Sequence, residues 1–346
     1  MLYSFEIKII LFACFTLQGL ALLAQPDAQT PHGDGAELAK ERLFCQPGVS
    51  NSSKGRGLLL QYSSVGNYSI KPEGGSSDGL NNSNVSYVDQ LTAKIKIPLV
   101  NAPSLKVLLG YEYGAETYHF NQIGELHGDV FRSLDGSTLR ANKYSLYLTK
   151  SFDEKYYFGA RLRAAYRGDY GQGMSFDSRY ASYSGLAIFG VKPRPDMEWG
   201  IGLTYSDNFF SKQVLPFVLY NRTFNDRWGV EAVLPVQAMA RYNFSPGSML
   251  LFGAEYQSQS YAIDVSGRSG VDPTVHPYYF KHSEITLKAS FDQHLYSWLW
   301  LNLEAGMQLP LQMRFDDTVL PANSFQATSG AQPFFRLGLF LSPTDL

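Results

Sequence analysis

His282-Ser283-Glu284 sets an imidazole, a hydroxyl and a carboxylate side by side. Those are the residue types of a serine hydrolase, whose nucleophile needs its base within hydrogen-bond reach. In an extended chain, however, 282 and 284 share one face and 283 points to the other. The three side chains therefore make no nucleophile–base pair by themselves, and a triad is recognised only by geometry. Glu284 reads better as a charge on an inward face, so no catalytic residue is assigned and no enzyme is expected. The histidines His32, His119, His127, His276, His282 and His294 form no cluster with cysteine at metal-ligand spacing. Asp135, Asp169, Asp264, Asp272, Asp316 and Asp317 fall in polar stretches, where solvated acids are commoner than calcium ligands. No cofactor is implied, and Gly171-Gln172-Gly173 lacks the strand-to-helix setting of a phosphate loop.

A larger constellation is spread along the chain. Lys94, Lys96, Lys106, Lys143, Arg161, Arg163 and Arg167 occupy the first half, and Glu198, Glu231, Glu255, Glu284 and Glu304 the second. Glu112 and Glu116 interrupt the basic group, while Arg241, Lys288 and Arg336 relieve the acidic one. If these residues line one narrow, wet space, a mainly basic wall opposes a mainly acidic one. Such walls set up a transverse field that orders water and slows apolar solutes. The alternative is that opposite charges pair and fill the space.

The elements that carry these charges read as strands. Tyr156, Phe158, Ala160, Leu162, Ala164 and Tyr166 alternate with Tyr157, Gly159, Arg161, Arg163, Ala165 and Arg167. From Leu299 every odd position to Leu309 is apolar, and the even positions carry Asn302, Glu304, Gly306 and Gln308. The apolar rows have aromatic ends and aliphatic middles, as a lipid-facing band does, and they are longer than ordinary soluble strands. Long polar connections (residues 65–84, 121–138, 168–178, 264–278 and 312–331) alternate with short ones (98–103, 152–155, 192–196, 225–227, 245–248 and 294–297). That is the asymmetry of outer-membrane barrels. The expectation is an all-β, transmembrane, antiparallel up-and-down β-barrel of fourteen strands. LPFVLYNRTFND and LPVQAMARYNFSP, each opened by a proline, are read as two strands running the same way, with Arg227–Leu234 between them. If that segment runs on with its successor, the count becomes twelve.

Residues 1–24 carry Lys8, an apolar run over Ile9–Leu23 and the cleavage-like Ala24-Gln25, the pattern of a signal peptide. Residues 25–54 are polar and read as a periplasmic linker, with a helical turn around Ala36–Leu43, and 55–346 as the barrel. Net charge is −2 and charged residues are only 17%, which gives no support to a nucleic-acid partner. Cys45 has no partner once residue 14 is removed, so no disulfide is expected.

Three stretches carry a resemblance: LPVQAMARYNFSPGSMLLFGAEYQSQSYAI (234–263), HSEITLKASFDQHLYSWLWLNLEAGMQ (282–308) and PFFRLGLFL (333–341). They resemble an uncharacterised family of Gram-negative outer-membrane β-barrels, a domain of unknown function. The resemblance implies the fold and the bacterial outer membrane, with lipid, lipopolysaccharide and the barrel-assembly machinery as partners. It supplies no catalytic residues. The chain departs from a terminal aromatic by continuing as LSPTDL. The functional expectation is passive passage of small polar solutes. The rivals are a closed barrel working through its outer loops and an outer-membrane hydrolase.

Overall fold

Alternation becomes strand along the whole barrel region. The computed structural model describes residues 44–74, 80–171, 175–266 and 275–342, and its sixteen strands form one sheet. The first half holds β1 (Leu58–Val65), β2 (Tyr68–Pro72), β3 (Ser83–Ala102), β4 (Leu105–Gln122), β5 (Thr138–Ser151), β6 (Tyr156–Gly168), β7 (Ala181–Arg194) and β8 (Met197–Asp207). The second holds β9 (Lys212–Thr223), β10 (Trp228–Leu234), β11 (Gln237–Ser245), β12 (Ser248–Ser266), β13 (Val275–Tyr296), β14 (Leu299–Asp317), β15 (Phe325–Ser329) and β16 (Gln332–Leu341). β1 with β2, and β15 with β16, are halves of single staves broken at Gly66 and Gly330, so the barrel has fourteen staves. Antiparallel pairing of β1 with β16, from Leu58↔Leu341 to Val65↔Phe334, closes it. The twelve-strand alternative fails because β10 is a separate strand, paired to β9 on one side and β11 on the other. No helix among the described residues is long and apolar enough to cross a membrane.

The two faces separate by chemistry. Leu146, Leu162, Ile201, Leu203, Leu287 and Leu337 stand exposed on the outer surface. Aromatic groups bracket them: Tyr156–Phe189 and Trp228–Tyr242 at the short-turn end, Tyr111–Tyr144 and Tyr144–Tyr166 nearer the loops. Tyr156 and Tyr166 lie ten residues apart on β6, roughly 33 Å of strand, or about 25 Å after a tilt near 40°. That matches the height of a lipid-facing band.

Two departures from the expected strands have local causes. Pro216 sits inside β9, opposite Leu203 on β8, rather than at a strand start. β10 ends at Leu234, opposite Val218, so the side of Pro216 that lacks an N–H meets no neighbour. In β14 the pairing slips where Glu284 faces Pro310 and Ser283 faces Gln312, leaving Leu311 extra. Odd residues point out before that bulge, whereas Met313 and Phe315 beyond it are buried inside. β12, to Ser266, and β14, to Asp317, also run past the expected loop starts at 264 and 312.

Replacing Leu162, at the middle of the β6 outer row, by Arg is expected to cost about 2–4 kcal/mol of stability in bilayers. Denaturant titration of the refolded barrel in lipid vesicles measures it. A loss under about 1 kcal/mol, the value near an interface, would remove this row from the midplane.

Candidate functional site

The interior is built between two closures. At the loop end, the β4–β5 connection folds inward as a short helix, α1 (Gly128–Leu134), started by His127 at φ 56°. Val130, Phe131 and Leu134 share its inner side, while Asp129 pairs with Arg132 on the outer one. Phe131 is fully buried, with ring centroids 5.8 Å from Phe315, 5.9 Å from Phe120 and 6.1 Å from Phe325. Val65, Ile70, Leu139, Ile263 and Phe280 complete this apolar plug. Under it lies a small polar layer. Glu116 accepts from the hydroxyls of Tyr118 and Tyr261, the latter at 3.3 Å, and stands 3.8 Å from His282 Nε2. Glu284 accepts from Thr286 at 3.3 Å in the same layer. Ser283 and His282 share no hydrogen bond among the described residues.

At the short-turn end, residues 45–57 cross the opening as a strap. Ser151 donates to the Cys45 carbonyl, and Gln46 donates to Pro103 at 3.0 Å. Gly48 N–H reaches Glu198 at 3.0 Å, Thr223 donates to the Ser50 carbonyl at 2.5 Å, and Asn243 donates to the Asn51 carbonyl at 3.2 Å. Ser53 binds Glu231 through its N–H at 2.8 Å and its hydroxyl at 2.5 Å. Arg56 stands 3.3 Å from Asp292 and 3.9 Å from Glu304. These partners run from the β3–β4 turn to β14, so most of the barrel wall holds the strap. The described part of the expected linker is thus bonded into the barrel, while Ala36–Leu43 lies outside the described residues.

The twelve charges singled out in the sequence all sit on inward strand faces, but their partners differ. Every one of the acidic residues is matched nearby. Glu198 also accepts from Tyr157 at 2.7 Å and Asn221 at 2.8 Å. Glu231 pairs with fully buried Arg241 at 2.6 Å, Glu255 with Lys288 at 2.5 Å, and Glu304 with Arg336 at 3.3 Å. Glu284 has Thr286 and the adjacent His282. On the basic side, Lys94 and Lys143 share Glu112 at 3.3 and 2.7 Å. Lys96 lies over the Tyr147 ring at 5.3 Å, and Arg163 donates to Ser145 at 3.0 Å. Lys96, Lys106, Arg161, Arg163 and Arg167 have no carboxylate within ion-pair distance among the described residues. The field across the lumen therefore arises mainly from one side.

A cavity of about 540 Å³ lies above the strap, reaching from Lys94 and Lys96 across to Glu255, Lys288, Glu304 and Arg336. The side chain of Lys94 is 38% exposed, so water reaches it. Sequence reasoning missed Arg56 and Asp292; Asn302 donates to Asp292 at 2.6 Å and accepts from Gln61 at 3.2 Å. Asn302 was readable as inward from the alternation of β14. Arg56 was not, because a Gly/Ser/Asn-rich segment reads equally as a free linker.

The profile of a family described as "Domain of unknown function (DUF6268)" matches residues 136–319. No curated protein sequence matches the chain. Among solved structures, a Pseudomonas aeruginosa FadL homologue aligns with TM-score 0.41 and 10% identity, covering 83% of this chain and 90% of that one. The P. putida toluene transporter TodX aligns with TM-score 0.38 and 9% identity, covering 85% and 93%. The translocator domain of autotransporter NalP from Neisseria meningitidis aligns with TM-score 0.30 and 10% identity, covering 84% and 90%.

Cys45 reports on the strap. It is buried, and burial pushes its thiol above the ordinary range, partly offset by Lys192. At pH 8 its thiolate fraction is then below that of a free cysteine, and its reactivity should keep rising above pH 9. With Cys14→Ala, Glu198→Gln is expected to speed maleimide labelling of Cys45 by roughly tenfold, because a lost hydrogen bond to a charged acceptor is worth ~1.5–3 kcal/mol. An unchanged labelling rate would mean that Glu198 does not hold the strap down.

Proposed function

The chain belongs to the family of the domain of unknown function DUF6268, and from that premise we propose that it is an outer-membrane barrel. Small polar solutes pass through it passively, anions more readily than cations. The observation that carries this reading is the solvent-reached cavity of about 540 Å³, bounded by fixed charges and held between two closures. Uncompensated lumen cations on β3, β4 and β6 supply the anion preference, because a narrow pore of one sign concentrates the opposite ion. In this reading the short turns and the strap face the periplasm, and the long loops face lipopolysaccharide. Residues 1–24 act as the export signal, and the barrel-assembly machinery inserts the chain.

The strap is the easier closure to open. Its anchors are hydrogen bonds and ion pairs at a water-facing end, whereas α1 is held by a continuous apolar cluster. That same cluster favours a second reading, a closed barrel acting through its outer loops.

Planar-bilayer recording of the refolded chain separates the two. Expected are discrete conductance steps with an anion-selective reversal potential, larger when residues 44–55 are deleted. Replacing Arg161, Arg163 and Arg167 together by Gln should move the reversal potential toward cations. Silence from a correctly folded barrel, with and without the strap, would replace passage by the closed-barrel reading.

A further inference from the structure

The β3–β6 wall has a lattice of positions fixed by register. In one row Lys94, Glu112, Lys143 and Ala165 are successive cross-strand partners. The next row holds Lys96, Gly110, Ser145 and Arg163, and the row on the other side holds Thr92, Gly114, Ala141 and Arg167. Arg161 follows opposite Tyr147. All of these side chains face the lumen, because one strand face repeats every second residue. Small residues, Gly110, Gly114, Ala141, Ser145 and Ala165, flank the Glu112–Lys143 pair at the middle of the lattice, and the Tyr147 ring leans over Gly110. The long cations are Lys94, Lys96, Arg161, Arg163 and Arg167 at its margins and Lys143 in the middle row. Six cations surround one carboxylate, Glu112, an excess of five positive charges.

Among the described residues no other carboxylate stands within ion-pair distance of these six cations, and the Tyr147 hydroxyl that bonds Arg161 and Arg163 carries no formal charge. Glu112 is already shared between Lys94 and Lys143. Arg163 and Arg167 are close enough to act electrostatically on Glu112 and Lys143. The Nε atoms of Arg161 and Arg167 are buried with no hydrogen-bond partner. Across the cavity, Glu255 and Glu304 are held by Lys288 and Arg336. Unpaired buried cations are costly, and guanidinium forks fit phosphoryl oxygens in pairs. The lattice spans three strand spacings, ~14 Å, and four residues along β6, ~13 Å, an extent that a ligand with more than one phosphoryl group can bridge between Lys94 or Lys96 and the β6 arginines.

We propose that this floor is a binding site for a small polyvalent oxyanion of the diphosphate type. The proposal deepens the passage reading by naming its solute class, and it rests on that reading only for transport. Arg163 and Arg167 grip the ligand from β6, Lys94 and Lys96 from β3, and Lys143 relaxes from Glu112 toward it.

The test is titration calorimetry of inorganic pyrophosphate, and separately of inorganic phosphate, into the refolded full chain in detergent at fixed ionic strength. Expected is one site, with pyrophosphate at least ~tenfold tighter than phosphate, and weakened ~tenfold or more in Arg163→Gln/Arg167→Gln. Arg163→Lys keeps the charge but loses the fork, and should weaken binding if the double variant does not fold. Lys212→Gln, an exterior cation, should leave binding unchanged. Pyrophosphate should also protect the wild-type barrel against urea, independently of any variant. Absent heat and protection in the wild type, or equal affinity in wild type and variants, overturns the site. Binding without bilayer conductance keeps the site and overturns passage; conductance without binding does the reverse.

Discussion

The pairing of β1 with β16 holds the rest of the structure in place. In hydrocarbon no water is available for an unpaired N–H or carbonyl, so a spanning sheet has to meet itself. Eight consecutive pairs, Leu58↔Leu341 through Val65↔Phe334, remove both edges. Once that register is set, the two-residue repeat decides every other position: Leu337 goes to lipid and Arg336 to the lumen, with no intermediate placement. A slip of one residue would send Arg336 into the bilayer and leave Glu304 without its partner. The lumen chemistry and the closure therefore depend on a single alignment.

Within that frame the charges follow two different rules. The acidic staves satisfy themselves between close neighbours: Glu231 with Arg241, Glu255 with Lys288, and Glu304 with Arg336. Such pairs are weak evidence of net stability, since desolvation offsets most of the attraction, yet breaking one leaves a stranded charge. They behave as a rigid, nearly neutral wall. The β3–β6 wall does not neutralise itself: Lys96, Arg161, Arg163 and Arg167 have no carboxylate within ion-pair distance among the described residues, and Glu112 is shared by Lys94 and Lys143.

Much of this was legible in the sequence because the outer face and the inner face obey one period. The alternation in Tyr156–Arg167 assigns Leu162 to lipid and Arg163 to the lumen, and the structure places them so. Separating β9, β10 and β11 needed only the two short turns around residues 225–227 and 235–236. What did not show was the filling of the barrel's ends. Cys45–Gly57 forms no repeating pattern, and its function as a strap comes from carboxylates on distant strands such as Glu198 and Glu231. Gly128–Leu134 is too short for its amphipathic character to stand out, and Phe131 acquires meaning only beside Phe315 and Phe325. Partner choice at long sequence separation is invisible to a periodicity argument. Arg241, Lys288 and Arg336 were legible as counter-charges of the acidic wall, but Arg56 was hidden for the same reason: it approaches Glu304 across 248 positions of numbering, from a segment with no strand signal.

The narrowness of the loop end follows from the low wall of β10 and β11. β11 ends its pairing with β12 at Gln237↔Glu255, so the remainder of β12, to Ser266, loses its neighbour. That stretch leans inward until Ala262 meets Gly168 at the top of β6, by-passing five strands. Asp169 secures the crossing, with its N–H 3.3 Å from the Ala262 carbonyl and its carboxylate accepting from Asp264 N–H at 2.6 Å. A side chain at 168 would stand 2.3 Å from the Ala262 oxygen, so only glycine permits the contact. The crossing turns Tyr261 and Ile263 toward the plug and gives α1 a wall to pack against. The loop-end closure is thus a consequence of strand length elsewhere in the barrel, and lengthening the β10–β11 hairpin would remove the reason for β12 to lean.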